Sequence, residues 1–431
     1  MLIISNLSDT NPILKKSVDD ALTFYKLPLT CASNNCAIPE EQFIGVVKQS
    51  LINAENTLKA QVITTKPVVI SPVVISPVIT ALETQKVTYI GNPGKSQYQG
   101  TDYKSNLARC IWDMQNHKSR IYIGYGDSWN NQGPVQIWSI ATGETEFRKE
   151  IVIQEESCWL FREYDNKLYI PGTDACGETQ GTIYTKNDIW KNIPIYATHI
   201  IDVCHFNGML YATLSRGQSQ LLMKADGTTW KALFEFTDFA SGMLGNCLPF
   251  DDCVIFTTLE GWDSNIYKCS KDDKVTKLYT YKSRPQKPEM WRSEKYKTGY
   301  LCCFSYPLRL QYMPYPLYFM DLNGVNQVGF ENDNVRDIVV RGNDVYILTA
   351  EYKNNTFYGY IYYSSDLKSW SLLTSFNLTS MPTSLELLDK IFYVGTTIKN
   401  DLDTVTETDS GNIYRIQLSQ KSPTPIGIIQ L

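Results

Sequence analysis

A short apolar strand recurs seven times along the chain, usually with an aromatic residue at its centre. The copies read RIYIG, KLYIP, MLYAT, VIFTT, YLCCF, VYILT and IFYVG, with central residues Tyr122, Tyr169, Tyr211, Ile255, Leu301, Tyr346 and Phe392. Successive centres are 47, 42, 44, 46, 45 and 46 residues apart. A regular period of this length is typical of repeat architectures. The chain is therefore expected to fold as an array of similar units, whatever domain count its 431 residues would otherwise suggest.

A second apolar strand follows each copy. These strands read VQIWS, GTIYT, QLLMK, SNIYK, YPLYF, GYIYY and GNIYR, centred on Trp138, Tyr184, Met223, Tyr267, Tyr318, Tyr362 and Tyr414. An earlier strand such as HIIDVCHF precedes the pair, and its Asn207-Gly208 suits a type I′ hairpin turn. A last strand follows a polar turn, as in KADGTTWKALFEF. Each unit therefore reads as four antiparallel strands.

Four-stranded sheets repeated every ~45 residues suit the radial packing of a propeller, because each blade buries both faces against its neighbours. We predict a mainly β fold, a seven-bladed β-propeller of four-stranded antiparallel blades spanning residues 86–431. In this arrangement GYGDSWNNQGP (124–134) is the loop between the second and third strands of blade 1, and its glycines are turn residues. A phosphate-binding loop would have to open a helix, whereas VQIWSI follows here as a strand.

The first 85 residues have a different pattern, which predicts a helical and extended N-terminal adaptor. Helices are expected from Pro12 and from Pro39, because proline is tolerated at the first helical position. The repeat PVVISPVVISPVIT (67–80) is predicted to be extended, since its prolines exclude a helix. A segment of this length with apolar side chains, which we call the apolar ribbon (67–80), is expected to be covered by other protein surface. We expect residues 1–85 to bind other virion or assembly proteins in an oligomer; the alternative is a strap lying along the chain's own propeller.

Charge and hydropathy exclude several classes of partner. The net charge of -5 and a pI of about 5.5 argue against binding to nucleic acid or to an anionic membrane. No segment has the ~20 apolar residues that a membrane-spanning helix needs. The N-terminus lacks the basic start and apolar run of a secretory signal. We therefore expect synthesis in a cytoplasm, and the eleven scattered cysteines are interpreted as reduced, mostly buried thiols.

Two turns carry a family resemblance. ADGTTW (225–230) and SSDLKSW (364–370) resemble the Asp-box, the S-x-D-x-G-x-x-W turn of sialidase-like propellers. The match is partial, because Ala225 stands at or beside the usual Ser and Lys368 replaces Gly. In that family the turn is structural and lies away from the catalytic centre. The phrases FNGMLYA and GYGDSWNN also look like those of bacterial and phage-borne propellers.

A sialidase-type hydrolase would need an arginine cluster together with a Tyr and Glu pair. Charged candidates on the predicted innermost strands are Arg162, Glu163, Arg292, Glu294, Arg336 and Glu386. Channel-lining strands carry charges in any propeller, and there they pair with one another. Because no local motif groups three arginines, we assign no catalytic residue.

Neither metal nor cofactor is predicted. His117, His199 and His205 have no metal-like spacing, and Cys31 and Cys36 lack a second pair. The acidic loop DLDTVTETDSG (401–411) holds enough oxygen ligands for calcium but lacks the glycine of an EF-hand, so a solvated loop is favoured. Whether it binds calcium is left open.

The loops between second and third strands combine aromatic residues with Asp and Asn. Rings stack on sugars or side chains, while short polar groups accept and donate hydrogen bonds. We predict a binding rim formed by Tyr125, Asp127, Trp129, Asn130, Trp262, Asp263, Tyr312, Tyr315 and Tyr352. The alternative for each ring is local packing over a blade edge.

Taken together, these features favour a non-enzymatic recognition or assembly protein. A docking adaptor, a display domain and the absence of an export signal suggest a component of a phage particle, such as a tail, neck or head fibre or decoration subunit contacting host-surface glycan. The virion is then the expected final location. One alternative is a glycoside hydrolase or lyase acting on surface polysaccharide, and another is an intracellular propeller scaffold.

Overall fold

We describe the protein from a computed structural model. The described residues are 86–98, 106–128, 130–177, 180–217, 219–226, 229–237, 242–260, 263–282, 290–304, 315–398 and 410–418. The predicted adaptor, residues 1–85, lies outside them. Within these ranges, no helix has the length and apolar character needed to cross a membrane.

In the described part of the chain, twenty-eight strands form seven antiparallel sheets of four. The first of these strands, β1 (Lys86–Gly91), belongs to blade 7, so blade 1 begins with the second strand. Blade 1 is β2 (Asp113–His117), β3 (Arg120–Gly124), β4 (Val135–Ala141) and β5 (Arg148–Ile153). Blade 2 is β6 (Arg162–Tyr164), β7 (Lys167–Pro171), β8 (Thr182–Lys186) and β9 (Trp190–Pro194). Blade 3 is β10 (His199–Phe206), β11 (Met209–Arg216), β12 (Ser219–Asp226) and β13 (Thr229–Phe236).

The remaining blades follow the same order. Blade 4 is β14 (Gly242–Pro249), β15 (Cys253–Glu260), β16 (Asp263–Ser270) and β17 (Val275–Lys282). Blade 5 is β18 (Met290–Tyr296), β19 (Gly299–Phe304), β20 (Leu317–Met320) and β21 (Val325–Gly329). Blade 6 is β22 (Val335–Arg341), β23 (Asp344–Lys353), β24 (Thr356–Ser364) and β25 (Ser371–Leu378). Blade 7 is β26 (Met381–Leu388), β27 (Ile391–Thr397), β28 (Ile413–Gln417) and β1. Two short 3-10 turns, Pro93–Lys95 and Asn106–Arg109, lie between β1 and β2.

The seven-bladed prediction is confirmed strand by strand. Each of the seven repeat centres lies on the second strand of its own sheet, and the second repeat series lies on the third strands. The register is also repeated: Tyr122 pairs with Ser139, and Tyr346 pairs with Tyr363, in each case one residue beyond the third-strand centre. Asn207 and Gly208 have φ angles of 50° and 77°, as the predicted type I′ turn requires.

The ring is closed by a strand from the beginning of the chain. β1 pairs antiparallel with β28, placing Val87 opposite Ile416 and Tyr89 opposite Tyr414. Blade 7 therefore takes three strands from one end of the propeller sequence and its outermost strand from the other. This pairing joins the two ends of the ring through backbone hydrogen bonds.

The core lies between blades, where the repeated apolar residues pack against the neighbouring sheet. Tyr346 of blade 6 makes an edge contact with Phe392 of blade 7, with ring centroids 5.2 Å apart. Tyr122 of blade 1 contacts Trp190 of blade 2 in the same way, at 6.1 Å. Burial between sheets explains why the repeat favours large apolar residues at these positions.

Candidate functional site

The propeller has two faces that differ in the loops they carry. We call the loop face the one that holds the blade-to-blade connections and the loops between second and third strands. The turn face holds the hairpin turns between first and second strands. The described residues of the predicted rim belong to the loop face. The innermost strands β2, β6, β10, β14, β18, β22 and β26 run between the two faces.

Two predicted rim residues of the blade 1 loop, Tyr125 and Asp127, are buried. The Tyr125 hydroxyl donates to Gln97 Oε1 at 2.8 Å and accepts from Trp138 Nε1 at 3.1 Å. Burial raises the pKa of Tyr125. Asp127 is also buried, and its carboxylate accepts from Asn130 Nδ2 at 2.8 Å, which holds the loop folded. Tyr125 thus ties the loop to Gln97 and to β4, whereas Asp127 bonds within the loop. A contact of either side chain with a ligand stays a prediction.

The other rim residues are placed as follows. Asn130 is exposed on the blade 1 loop. Tyr315 is buried at the entry to β20. Tyr352 is half-buried on β23, where its hydroxyl lies 3.1 Å from Asn355 Oδ1. Asp263 begins β16, and only its backbone is described. Trp129, Trp262 and Tyr312 lie outside the described residues.

The connection between blades 1 and 2 acts as an extra strand on the loop face. Glu156 O accepts from Asp127 N at 2.9 Å on one side, and Glu156 N donates to Asp174 O at 2.7 Å on the other. Isolated bridges between Gly126 and Ser157 and between Glu155 and Ala175 continue the pattern. The long loops of blades 1 and 2 are thereby joined into one hydrogen-bonded layer, which we call the platform (125–128, 130–134, 154–158 and 172–177).

Glycines permit the close contacts in the platform. Gly126 has a φ of 119°, and a Cβ there would lie 2.5 Å from Glu156 O. A Cβ on Gly133 would meet Cys176 Sγ, and one on Gly172 would meet Glu155 Oε1. The glycines of GYGDSWNNQGP therefore provide both the turn and the space for the neighbouring connection, and no helix follows them.

Several titratable groups are buried in the platform. Burial raises the pKa of Glu155 to about 8 and that of Glu156 to about 7, and the nearby Asp174 carboxylate adds to both shifts. The Tyr184 hydroxyl lies 3.4 Å from Glu155 Oε1. His199 Nδ1 lies 3.4 Å from Asp174 Oδ1, and this carboxylate raises the pKa of His199. Burial in the platform therefore favours the protonated form of both carboxyl groups.

The central channel contains the charged residues that the hydrolase hypothesis would require. Arg162 Nε and Nη2 donate to the two oxygens of Asp202 at 2.9 and 2.8 Å. Arg292 Nε donates to Asp337 at 3.1 Å, and Arg341 Nη2 pairs with Glu386. Each of these three arginines is therefore paired with a carboxylate of the protein itself.

The remaining channel candidates are distributed over other strands. Glu163 lies 3.4 Å from His117 Nδ1, and Glu294 on β18 has its pKa raised to about 8 by burial. Arg336 is fully buried on β22, and burial lowers its pKa to about 10. All six candidates do lie on innermost strands, as predicted.

Carboxylates on three innermost strands bridge neighbouring blades. Asp113 of blade 1 accepts from Phe161 N at 2.7 Å, and Asp202 of blade 3 accepts from Cys247 N at 2.9 Å. Asp337 of blade 6 accepts from Leu385 N at 2.6 Å. Sequence reasoning missed these three residues, although each stands before an apolar residue in WDM, IDV and RDI.

A pocket on the turn face was also missed. Its volume is about 700 Å³, and its lining includes Tyr164, His205, Phe250, Lys295 and Tyr300. Lys295 Nζ lies 4.9 Å from the Phe250 ring centroid and 5.1 Å from that of Tyr300. Burial lowers the pKa of Lys295. Because the lining comes from blades 2 to 5, no local sequence motif could have indicated it.

Metal ligation has no geometric support in the described parts of the chain, where no three His, Cys, Asp or Glu side chains group to hold an ion. Cys31, Cys36 and residues 401–409 of the acidic loop lie outside those parts.

The SSDLKSW turn is described: Asp366 Oδ1 accepts from Lys368 N and Ser369 N at 2.8 Å each. The Asp-box resemblance itself stays a prediction.

Comparisons with known proteins identify no family for the chain. No family model matches the chain, and no curated protein matches it. Among the solved structures similar to it is the β-propeller domain of Myceliophteria thermophila Cps50 (Swd1), with 11% identity and a TM-score of 0.47. The alignment covers 73% of this chain and 98% of that one. This similarity carries no argument about ligand or activity.

Proposed function

We propose that the chain is a non-enzymatic recognition or assembly protein built on a seven-bladed propeller. The observation that carries this proposal is the pairing of charges in the central channel. Arg162 and Arg292, which would have to bind a substrate carboxylate in a sialidase-type site, are instead bonded to Asp202 and Asp337. A substrate would have to displace buried ion pairs, which is unfavourable because the released carboxylates would stay desolvated.

The loop face is the proposed recognition surface. Its platform is held by backbone hydrogen bonds on both sides of Glu156, so it can present the blade 1 loop in one orientation. Asn130 is exposed there, next to Trp129 in the sequence. A preorganised surface binds with a smaller loss of conformational entropy than a loop that must order on contact. The proposed ligand is a host-surface glycan.

The finer proposal places the protein in a phage particle, as a tail, neck or head fibre or decoration subunit attached through residues 1–85. It rests on the sequence of the apolar ribbon 67–80 and on the display of loops by the propeller. The hydrolase or lyase and the intracellular scaffold are kept as alternatives that the experiment below distinguishes.

The test measures binding and turnover in the same samples. Purified full-length chain is applied to an array of bacterial capsular and lipopolysaccharide glycans, and reducing sugar is measured after incubation with each bound glycan. We expect binding with no released sugar. Replacing Trp129 and Trp262 by Ala should weaken binding about tenfold or more, since each ring contributes on the order of 1 kcal/mol beyond burial.

Two matched variants assign the face. Tyr89→Ala removes an exposed aromatic side chain from the outer strand β1 and should bind as the unmodified protein does. Lys295→Ala alters the turn-face pocket, and a loss of binding with this variant alone would move the site to that face. Release of reducing sugar would support the hydrolase. Binding to no glycan, together with capture of a cytoplasmic protein that Lys295→Ala abolishes, would support the scaffold.

A further inference from the structure

Two thiols from neighbouring blades meet beside the central channel. Cys204 on β10 and Cys247 on β14 are both fully buried, and their Sγ atoms are 3.1 Å apart. We propose that Cys204 and Cys247 form a disulfide that joins blades 3 and 4 when the chain folds in the presence of a disulfide oxidant. This modification is independent of the recognition function proposed above.

The geometry favours this bond. A disulfide has an S–S distance of about 2.05 Å, so the two sulfurs need to approach by about 1 Å, which small side-chain rotations supply. The two strands are already fixed relative to one another, because Asp202 Oδ2 accepts from Cys247 N at 2.9 Å and from Asn246 Nδ2 at 3.3 Å. These hydrogen bonds hold the two cysteine-bearing strands beside each other while the sulfurs approach.

Other described cysteines that are close in sequence or register face away from each other. Cys302 and Cys303 are adjacent on β19 and pack into different clusters, since successive side chains of a strand point to opposite faces. Cys253 lies opposite Ser270 in the sheet, one position away from Cys269. Cys253 and Cys269 therefore do not face each other, and they pack in different apolar clusters. Cys110 Sγ lies 3.3 Å from the Ser410 hydroxyl. Cys269 packs in the same cluster as Cys204 and Cys247, and the direct contact of the Cys204 and Cys247 sulfur atoms is what selects this pair.

The chemistry requires an oxidant, which we take to be a small-molecule disulfide such as oxidised glutathione. One cysteine thiolate attacks this disulfide, forming a mixed disulfide and releasing one glutathione thiolate. The second cysteine thiolate then displaces the other glutathione. One S–S bond is formed and one is broken, two electrons pass to glutathione, and the two cysteine protons end on the two glutathione thiols.

Exchange must occur before the two thiols are buried. Thiolates are the reactive form, and burial raises the pKa of Cys247 well above its usual value. The folded reduced protein should therefore resist glutathione, whereas a folding chain should be trapped in the cross-linked form. The bond would connect residues 43 positions apart and enclose β11, β12 and β13 in a covalent loop.

The test follows the thiols through refolding. Full-length chain is unfolded and reduced, refolded in oxidised and reduced glutathione, alkylated with iodoacetamide in denaturant, and mapped by mass spectrometry. We expect a peptide pair linking Cys204 to Cys247 in most refolded molecules, and a higher urea midpoint than for the reduced protein. Folded reduced protein given the same glutathione for hours should keep both thiols alkylatable.

The controls use a neighbouring buried cysteine. Cys247→Ser should abolish the linked peptides and the rise in urea midpoint, while Cys269→Ser, altered in the same apolar cluster, should keep both. Synthesis in an oxidising cell-free lysate gives the same measurement if refolding is inefficient. Two results would overturn the proposal. In one, protein that folded under the oxidising condition has both Cys204 and Cys247 alkylated. In the other, either cysteine is linked mainly to a different cysteine.

Discussion

Arg162 of blade 2 contacts Ser293 of blade 5 across the central channel. Its Nη1 donates to the Ser293 carbonyl oxygen at 3.0 Å, and its Nη2 donates to the Ser293 hydroxyl at 3.0 Å. The same guanidinium bonds Asp202 of blade 3. Because one side chain joins three blades, it stabilises the ring near its axis, where the innermost strands have no further strand to pair with.

Replacing Arg162 with Met should destabilise the protein strongly. The substitution keeps an unbranched apolar stem but leaves the buried Asp202 carboxylate without its cation, and such a loss costs about 3–5 kcal/mol. Urea denaturation followed by fluorescence measures the change. Lys118→Met is the control, since Lys118 pairs with the exposed Asp188 and should lose less than about 1 kcal/mol. Equal losses for the two variants would show that the channel pair is not a main contributor to stability.

The platform predicts a dependence of stability on pH. In the folded state the pKa of Glu155 is raised to about 8, from an ordinary value of 4.5. The folded protein then binds more protons than the unfolded chain between these values, so its stability is greatest below pH 4.5 for this group and is lost as pH rises through about 8. Glu155→Gln should therefore flatten the fall in melting temperature between pH 5 and pH 9.

A carboxylate with the opposite shift serves as the control. Arg120 lowers the pKa of the surface residue Glu144, so its stabilising effect is lost at acid pH and not at alkaline pH. Glu144→Gln should leave the slope between pH 6 and pH 9 unchanged. A slope that Glu155→Gln does not alter would mean that Glu155 is ionised in the folded protein.

The blade count could be predicted because the apolar residues recur on two strands of every blade. Tyr122 and Trp138 belong to such a pair, and their spacing is local. The role of Asp202 was not predictable in the same way, since its partners Arg162 and Cys247 lie on two other blades and meet it only when the ring closes. Ring closure by β1 was also missed. Tyr89 and Tyr414 are 325 residues apart. The periodic pattern does not indicate which blade a strand that precedes the first repeat will join.

The candidate site was less predictable than the fold. Composition alone placed Tyr125 and Asn130 in one rim, yet the first is buried and the second is exposed. In a loop rich in polar and aromatic residues, either kind of side chain can be buried or exposed. The contact of the loop with the connection between blades 1 and 2 decides which side chains are buried. That connection is held mainly by backbone hydrogen bonds, which depend little on side-chain type.

Gly126→Ala should disrupt the platform. The residue has a φ of 119°, which an L side chain rarely adopts, and its Cβ would lie 2.5 Å from Glu156 O. We expect a loss of about 2 kcal/mol or more in unfolding free energy, from backbone strain and displacement of the connection. Gly324→Ala, where a Cβ meets nothing within 4 Å, should be neutral or slightly stabilising. Tolerance of alanine at both positions would contradict the close packing described for the blade 1 loop.

Two truncations separate the adaptor from ring closure. Removing residues 1–85 keeps β1 and should leave a soluble propeller with nearly the same melting temperature, which no longer oligomerises or enters a particle if residues 1–85 are the assembly segment. Removing residues 1–91 also deletes β1 and leaves β28 as an unpaired edge. An exposed edge strand is prone to pair with other chains, so the shorter protein should melt at a lower temperature and aggregate. Light scattering and thermal denaturation measure both effects. Unfolding of the first truncation would show that the ribbon packs on its own propeller, and equal stability of the two would show that β1 is dispensable for closing the ring.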